Sequence, residues 1–269
     1  MRASQYALDV AERELLTVLR TPALRVLAAG FVLVAVGVPW LGETGSYLGL
    51  VLDLLLPVEV LVPVLAFAFG YRSLLGDAQS GELETLATYP VSSPGYVASV
   101  YLGRAVAVLG VVLLGLGAAG AFVALTGEPQ LSVVASHAAA DSPALYLRYV
   151  LSTALFALAV LAVAVLVSAV ARSSRGGLGL AAVAVVALTG GLDAALIGSV
   201  GRGATAADGV PTALLALSPN SAYRRLVFES SVAPVGLAVP GGSTALLGTV
   251  ALVGWLTVAL AAASLLTWR

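Results

Sequence analysis

The chain has 269 residues, of which 60% are hydrophobic and 10% are charged, and its formal net charge is −1. The absence of Cys and Lys excludes disulfides, thiolate metal sites and the Lys-dependent phosphate loop of P-loop ATPases. One His and one Met give a metal site few ligands, and the charge balance offers nucleic acid no basic surface. The mean hydropathy of +1.04 and apolar runs longer than ~18 residues predict an all-α, polytopic membrane protein.

The first segment, Ser4 to Pro22, has the pattern of an amphipathic helix. At 100° per residue its polar side carries Asp9, Arg13 and Arg20, and its apolar side carries Leu8, Ala11, Leu15, Val18 and Leu19. We predict that this helix lies in the plane of the membrane interface. A solvated N-terminal helix is the alternative, whereas the long charged region does not fit a secretory signal.

Six apolar segments follow, and each is long enough to cross a bilayer of ~30 Å as a helix. They cover residues 23–41, 48–70, 97–125, 147–171, 177–200 and 243–267. We therefore expect about six transmembrane helices in one membrane domain over residues 1–269. An even number of spans places both termini on the same side.

The arginines predict which side that is. With a cytoplasmic N-terminus, nine arginines lie inside and four lie outside, the four being Arg148, Arg202, Arg224 and Arg225. The positive-inside bias favours this arrangement. We predict a multi-pass protein of the plasma membrane with both termini cytoplasmic and a long outer connector at residues 201–242.

The connector between the second and third predicted spans is unusually polar and long for a simple turn. Residues 82–89 form a short predicted helix that follows Gly81 and stops at Pro90, and its first turn holds Glu82 and Glu84. Leu83 and Leu86 form an apolar pair on one face of it. This helix is suited either to a groove in another protein or to packing on lipid and neighbouring spans.

Three stretches resemble the ABC-2 type transporter permeases, and in particular their NosY-like branch. The most specific is LVPVLAFAFGYRSLLGDAQSGELETLATYPVSS at residues 61–93; the others are VSAVARSSRGGLGLAAV at 167–183 and LSPNSAYRRLVF at 217–228. The chain departs from the family at Asp77-Ala78, where a Glu-Arg pair is frequent, and at Ser99-Val100, where Gly-Lys is common. Gly103-Arg104 fits the pattern.

The resemblance implies a permease that pairs with a second permease copy and docks a separate ATP-binding subunit. The helix after Gly81 would be the coupling helix, with Gly81, Glu82, Leu83, Glu84, Leu86 and Pro90 as partner-binding residues. ATP and Mg²⁺ would be bound by the partner, and no cofactor or metal by this chain. The implied activity is export or membrane translocation of an unidentified substrate, with the lipid bilayer as the surroundings and no nucleic acid.

Two carboxylates lie inside the second predicted span. Glu59 is near its middle, flanked by Pro57 and Pro63, and Asp53 lies about two turns toward the outer end. Ionisable side chains at this depth usually face a protein interior or a water-filled path, so we predict that both belong to the translocation path. The alternative for Glu59 is a structural pair with an Arg, or a protonated carboxyl bonded to Ser or Thr. Asp193 is expected to be a structural or capping residue.

Other functions fit the residues less well. An intramembrane Ser protease needs a buried His base, and we expect His137 to be a solvated loop residue. We therefore predict that the chain is not an enzyme. An ion-coupled secondary carrier that uses Glu59 as its proton or substrate site remains the alternative to the ATP-driven permease.

Overall fold

The computed structural model describes residues 3–42, 44–83, 92–127, 141–191, 218–235 and 245–267, and these contain helices and no strand. The α-helices in this part of the chain are α1 (Ala3–Arg20), α2 (Pro22–Leu41), α3 (Tyr47–Gly70), α4 (Ser73–Gln79), α5 (Ser93–Thr126), α6 (Pro143–Val170), α7 (Ser174–Val186), α8 (Pro219–Val227) and α9 (Ala245–Thr267). The predicted all-α fold is confirmed.

Local sequence signals mark the positions at which these helices begin. Ser46, Ser92, Ser173 and Ser218 precede α3, α5, α7 and α8, and each hydroxyl accepts a hydrogen bond from a backbone N–H in the first turn. A Pro in the first turn of α2, α5, α6 and α8 adds a fixed φ where its missing N–H is not needed. The Ser-Pro and Thr-Pro pairs of the sequence therefore mark true helix starts.

Five helical runs in the described residues are long and apolar enough to cross a membrane. They are α2, α3 together with α4, α5, α6 and α9, and they confirm five of the predicted spans. The predicted span at 177–200 coincides with α7 and the π-helical turn Ala187–Gly191, and the rest of its range lies outside the described residues.

Helix α6 is the centre of the bundle. It packs on α3, α5 and α9, and its side chains Tyr149, Phe156 and Leu161 are fully buried. Its approach to α3 depends on Gly70, because a Cβ there would lie 2.6 Å from the Cβ of Ala164. In contrast, α2 and α9 expose most of their apolar surface, as expected for helices that contact lipid.

Helix α1 confirms the predicted N-terminal helix, but the stripe that it buries coincides only in part with the predicted apolar face. Val10, Glu14 and Val18, spaced four residues apart, are buried, and the helix lies mainly along α5. Leu19, expected on the apolar face, is 53% exposed. The correction has a physical cause, because a carboxylate occupies the centre of the buried stripe and requires a partner in the bundle.

The predicted outer connector at residues 201–242 is partly helical. Its described part, residues 218–235, is not an open loop but consists of α8, a π-helical turn at Phe228–Val232 and a 3₁₀ turn at Ala233–Val235. Helix α8 packs on α6 and α9. A nine-residue helix is too short to span a bilayer, so hydropathy over a long window does not detect it.

Candidate functional site

The second span continues into the coupling connector almost without interruption. Helix α3 ends at Gly70, two residues turn, and α4 runs from Ser73 to Gln79. The hydroxyl of Ser168, at the end of α6, accepts hydrogen bonds from the N–H groups of Leu74 and Leu75, each at 3.0 Å. These bonds attach the start of α4 to the central helix of the bundle.

Gly81 turns the chain after α4. Its φ of 75° lies in the left-handed region, which L side chains rarely adopt, so the residue type is required by the backbone. Leu83, two residues later, is half-buried against the hydrophobic core. The other predicted docking residues, Glu84, Leu86 and Pro90, lie outside the described residues.

Arg13 of α1 binds the connector through carboxylates. Its guanidinium donates hydrogen bonds to Asp77 at 3.2 Å, to Glu14 at 3.1 Å and to Glu82, while the hydroxyl of Tyr96 also donates to Asp77. Burial lowers the pKa of Arg13, but the charges of Asp77, Glu14 and Glu82 raise it more, so the net pKa lies above its usual value. Glu82, predicted as a docking charge, therefore already has a partner within the chain.

A second arginine, which lies on α5, pairs with Glu14 of the same group of charges. Arg104 lies 2.6 Å from the Oε2 of Glu14 and also donates to the backbone carbonyl of Phe69 at the end of α3. The side chains of Arg104 and Glu14 are 10% and 5% exposed. We call Arg13, Glu14, Asp77, Glu82 and Arg104 the charged network. Sequence reasoning missed Glu14, although its position between Val10 and Val18 in the buried stripe was a detectable signal.

Gly103, the residue before Arg104, allows α1 to approach α5. A Cβ at this position would lie 2.8 Å from the Cβ of Glu14 and closer still to the carbonyl oxygen of Ala11. The Gly-Arg pair thus has two roles, since Gly103 provides the space for α1 and Arg104 neutralises the carboxylate that α1 buries.

Glu59 forms an ion pair in the middle of α3. The Nε and NH2 groups of Arg224 donate to its two carboxylate oxygens at 2.8 and 2.6 Å. The side chain of Glu59 is 5% exposed and that of Arg224 is 43% exposed. Arg224, which the sequence analysis counted among the outer charges, thus meets a carboxylate halfway along a span, while the side of the membrane on which α8 lies stays a prediction. The structure therefore contains the ion pair with an Arg that was one of the alternatives for Glu59.

Apolar contacts hold α8 at this position. Tyr223 is fully buried, its ring stacks on Phe156 with 4.5 Å between centroids, and its hydroxyl lies 2.8 Å from Thr153 Oγ1. Helix α9 approaches closely at Gly248, where a Cβ would lie 2.8 Å from the carbonyl oxygen of Ala222. The aromatic contact and the close helix approach explain how Arg224 reaches Glu59.

Asp53, the other predicted path residue, is exposed and takes no part in the Glu59–Arg224 pair. Its carboxylate accepts a hydrogen bond of 2.5 Å from Thr44 near the start of α3. Asp141 was not predicted, and it accepts hydrogen bonds from the N–H groups of Tyr47 and Leu48 at 3.1 and 2.8 Å. It thereby caps α3 from the residues that precede α6. Asp193 and His137 lie outside the described residues.

Comparison with known proteins agrees with the resemblance. Residues 4–267 match the model of the ABC-2 family transporter proteins. Over 127 residues, 45% of this chain and 46% of the relative, the chain is 29% identical to the probable ABC transporter permease protein NosY of Stutzerimonas stutzeri. Over 133 residues, 46% of this chain and 48% of the relative, it is 27% identical to the NosY protein of Pseudomonas aeruginosa.

The chain thus spans about half the length of the curated relatives that it matches. The family match, by contrast, extends over nearly the whole chain and includes all the helices described above. With its apolar spans, this multi-pass membrane protein belongs to the ABC-2 family of transporter proteins.

Proposed function

We propose that this chain is the permease subunit of an ATP-binding cassette transporter that exports or translocates a substrate across the plasma membrane. A separate subunit binds ATP and Mg²⁺ and docks at the cytoplasmic connector after α4, and a second permease copy completes the pathway. Family membership and similarity to two permeases support this function. The chain has no Lys for a P-loop of its own, which fits hydrolysis on a partner.

The observation that carries the proposal is the helical run from Tyr47 to Gln79. It joins Glu59, in the middle of the bundle, to Gly81 at the start of the proposed coupling helix. At 1.5 Å per residue these two points are roughly 30 Å apart. A displacement of the connector by the ATP-binding subunit would therefore act directly on the helix that holds Glu59.

The contacts of the connector indicate different roles for its predicted docking residues. Leu83 packs on the permease core and Glu82 binds Arg13, so both attach the connector to its own chain. Gly81 sets the direction in which the chain leaves α4. We infer that contact with the ATP-binding subunit depends mainly on Glu84 and Leu86, with Pro90 ending the helix.

Glu59 and Asp53 are the proposed path residues on α3. Because Arg224 is half-exposed while Glu59 is buried, the ion pair connects the interior of the permease to an accessible surface. A shift of α3 relative to α8 would weaken this pair and change the path beside it. Replacing Glu59 with Gln should therefore reduce transport more than it reduces assembly.

The docking step is tested by a pull-down of the ATP-binding subunit at matched permease levels. Leu86→Asp should reduce recovery about tenfold, a typical loss at an interface hot spot. The control is Leu19→Asp, which changes an exposed leucine of α1 outside the connector and should leave recovery unchanged. Leu83→Asp should instead reduce the yield of folded permease. Equal recovery with Leu86→Asp would show that the connector is not the docking element.

The geometry of Glu59 favours this function over a secondary carrier. Both carboxylate oxygens are hydrogen-bonded to Arg224, so binding a proton there requires the ion pair to break. Transport in vesicles distinguishes the two, because a carrier would follow an ion gradient without the ATP-binding subunit, whereas the permease would depend on ATP and on that subunit.

A further inference from the structure

A cavity of about 500 Å³ lies beside the charged network. It is lined by α1, the start of α2, the end of α3 and the beginning of α4. Its walls combine apolar and polar side chains, among them Thr17, Leu24, Tyr71, Arg72 and Ser73. The ion pairs of the charged network form one of its sides.

Charged side chains of both signs line the cavity. The charged network has two guanidinium groups against three carboxylates and so carries one surplus negative charge. Arg72 also lines the cavity, and it makes no ion pair with any residue that the structure describes. The cavity therefore presents an anionic wall and a guanidinium group that lies outside the charged network.

A buried polar atom lies next to that cation in sequence. Ser73 is 1% exposed, and its Oγ has no hydrogen-bond partner within the described ranges. An unpaired buried hydroxyl is unfavourable, and a ligand that accepts a hydrogen bond would relieve it. Arg72 offers a charged donor, and the Ser73 hydroxyl, once turned from its buried position toward the cavity, offers a neutral donor; the pair suits the oxygens of a phosphate group.

The surroundings of the cavity are those of a membrane surface. Helix α1 leads at Pro22 directly into the first span, and Leu24 of that span lines the cavity. Leu19 and Val26, on either side of the junction, are 53% and 73% exposed. A ligand seated here could place a polar head in the cavity and apolar chains along α2.

We propose that this cavity binds the headgroup of a zwitterionic phospholipid that carries a phosphate and a primary amine. The phosphate binds Arg72 and Ser73, and the ammonium group donates hydrogen bonds to the carboxylates of the charged network. A purely anionic headgroup would meet the surplus negative charge, and a choline headgroup has no N–H to donate. The proposal does not depend on the identity of the transported substrate.

Lipid retention by the purified full chain tests this site. The delipidated protein in detergent is mixed with equal amounts of phosphatidylethanolamine, phosphatidylcholine and phosphatidylglycerol, and bound lipid is counted by native mass spectrometry. The wild type should retain about one phosphatidylethanolamine per chain, in at least about fivefold preference over the other two. Arg72→Gln should abolish this preference, and Arg72→Lys should preserve most of it.

Matched variants separate this site from general attraction to lipid. Arg25→Gln removes an exposed arginine of α2 that does not line the cavity, and its lipid preference should equal that of the wild type. Glu82→Gln removes the surplus negative charge and should raise the retention of phosphatidylglycerol relative to phosphatidylethanolamine. Thermal unfolding of each variant shows whether it is folded.

Four outcomes would overturn the proposal. Equal retention of phosphatidylglycerol by the wild type would remove the basis for a zwitterionic ligand, and unchanged preference in Arg72→Gln would place the lipid elsewhere. Soluble phosphoethanolamine that competes as strongly as the lipid would identify a free metabolite as the ligand. Stoichiometric loss of the lipid when the ATP-binding subunit is added would assign the cavity to that protein.

Discussion

Helices α1 and α8 attach to the bundle in the same way, although they lie at opposite ends of the sequence. Neither is suited to span a membrane, since α1 is strongly charged and α8 has nine residues. Helix α1 uses a close approach at Gly103 and an ion pair between Glu14 and Arg104. Helix α8 uses a close approach at Gly248 and an ion pair between Arg224 and Glu59.

The two attachments differ in how the charges are distributed. In α1 the docking helix supplies the carboxylate, and Glu14 has a second cationic neighbour in Arg13. In α8 the docking helix supplies the arginine, and among the described contacts Glu59 is paired with Arg224. Loss of Arg104 is compensated within the charged network, because Glu14 keeps Arg13 as a neighbour. Loss of Arg224 instead leaves the buried carboxylate of Glu59 on α3 without this partner. The α8 attachment should therefore be the more sensitive of the two.

The largest effect is expected from Arg224→Gln. Removing one partner of a buried ion pair typically costs 3–5 kcal/mol, and because Arg224 is partly exposed we expect about 3 kcal/mol in the free energy of unfolding. Arg225→Gln, at the neighbouring position, should cost less than about 1 kcal/mol. Thermal unfolding in detergent gives both values. Combining Arg224→Gln with Glu59→Gln should recover part of the loss, and no recovery would show that the buried charge is not its cause.

A smaller loss is expected when the corresponding pair of α1 is broken. Arg104→Gln removes bonds to Glu14 and to the Phe69 carbonyl, but Glu14 keeps Arg13 as a neighbour. We expect about 2 kcal/mol from the lost charged hydrogen bonds. The same unfolding measurement applies. A loss greater than that of Arg224→Gln would contradict the compensation ascribed to the charged network.

Gly103→Ala tests the close approach of α1. The added Cβ would collide with backbone of α1 and with Glu14, so α1 must move, at a cost of about 1–3 kcal/mol. Gly110→Ala, on the same helix, meets none of the described residues within 4 Å and should be neutral or stabilising by up to ~1 kcal/mol. Limited proteolysis should release α1 faster from Gly103→Ala alone. Equal release from the two variants would remove the packing explanation.

Gly248→Ala should have the smallest effect of the four. Its Cβ would meet the carbonyl of Ala222 at 2.8 Å and the Cβ of Leu226 at 3.1 Å, contacts that a small shift of the short α8 can relieve. We expect about 1 kcal/mol. Gly254→Ala on α9 has no described neighbour within 4 Å and is the matched control. If Gly248→Ala cost more than Gly103→Ala, α8 would be held more rigidly than α1.

The sequence alone determined the helical framework. Apolar runs identified five spans, and the stretch at residues 61–93 pointed to the family. These predictions succeeded because hydropathy and sequence motifs are properties of contiguous residues, which can be recognised without knowing the tertiary contacts. The cytoplasmic orientation and the docking role of Leu86 remain predictions.

Tertiary structure decided the partners of the buried charges. Glu59 was identified as an unusual charge in a span, but its partner Arg224 lies 165 residues away and belongs to a segment that hydropathy assigns to an outer loop. Glu14 and Arg104 are 90 residues apart, and their meeting depends on the approach that Gly103 permits. A charge buried in a membrane protein requires a counter-charge, but the sequence contains several arginines that could provide it. Which one does so depends on the packing of helices distant in sequence, and that packing is a property of the whole bundle.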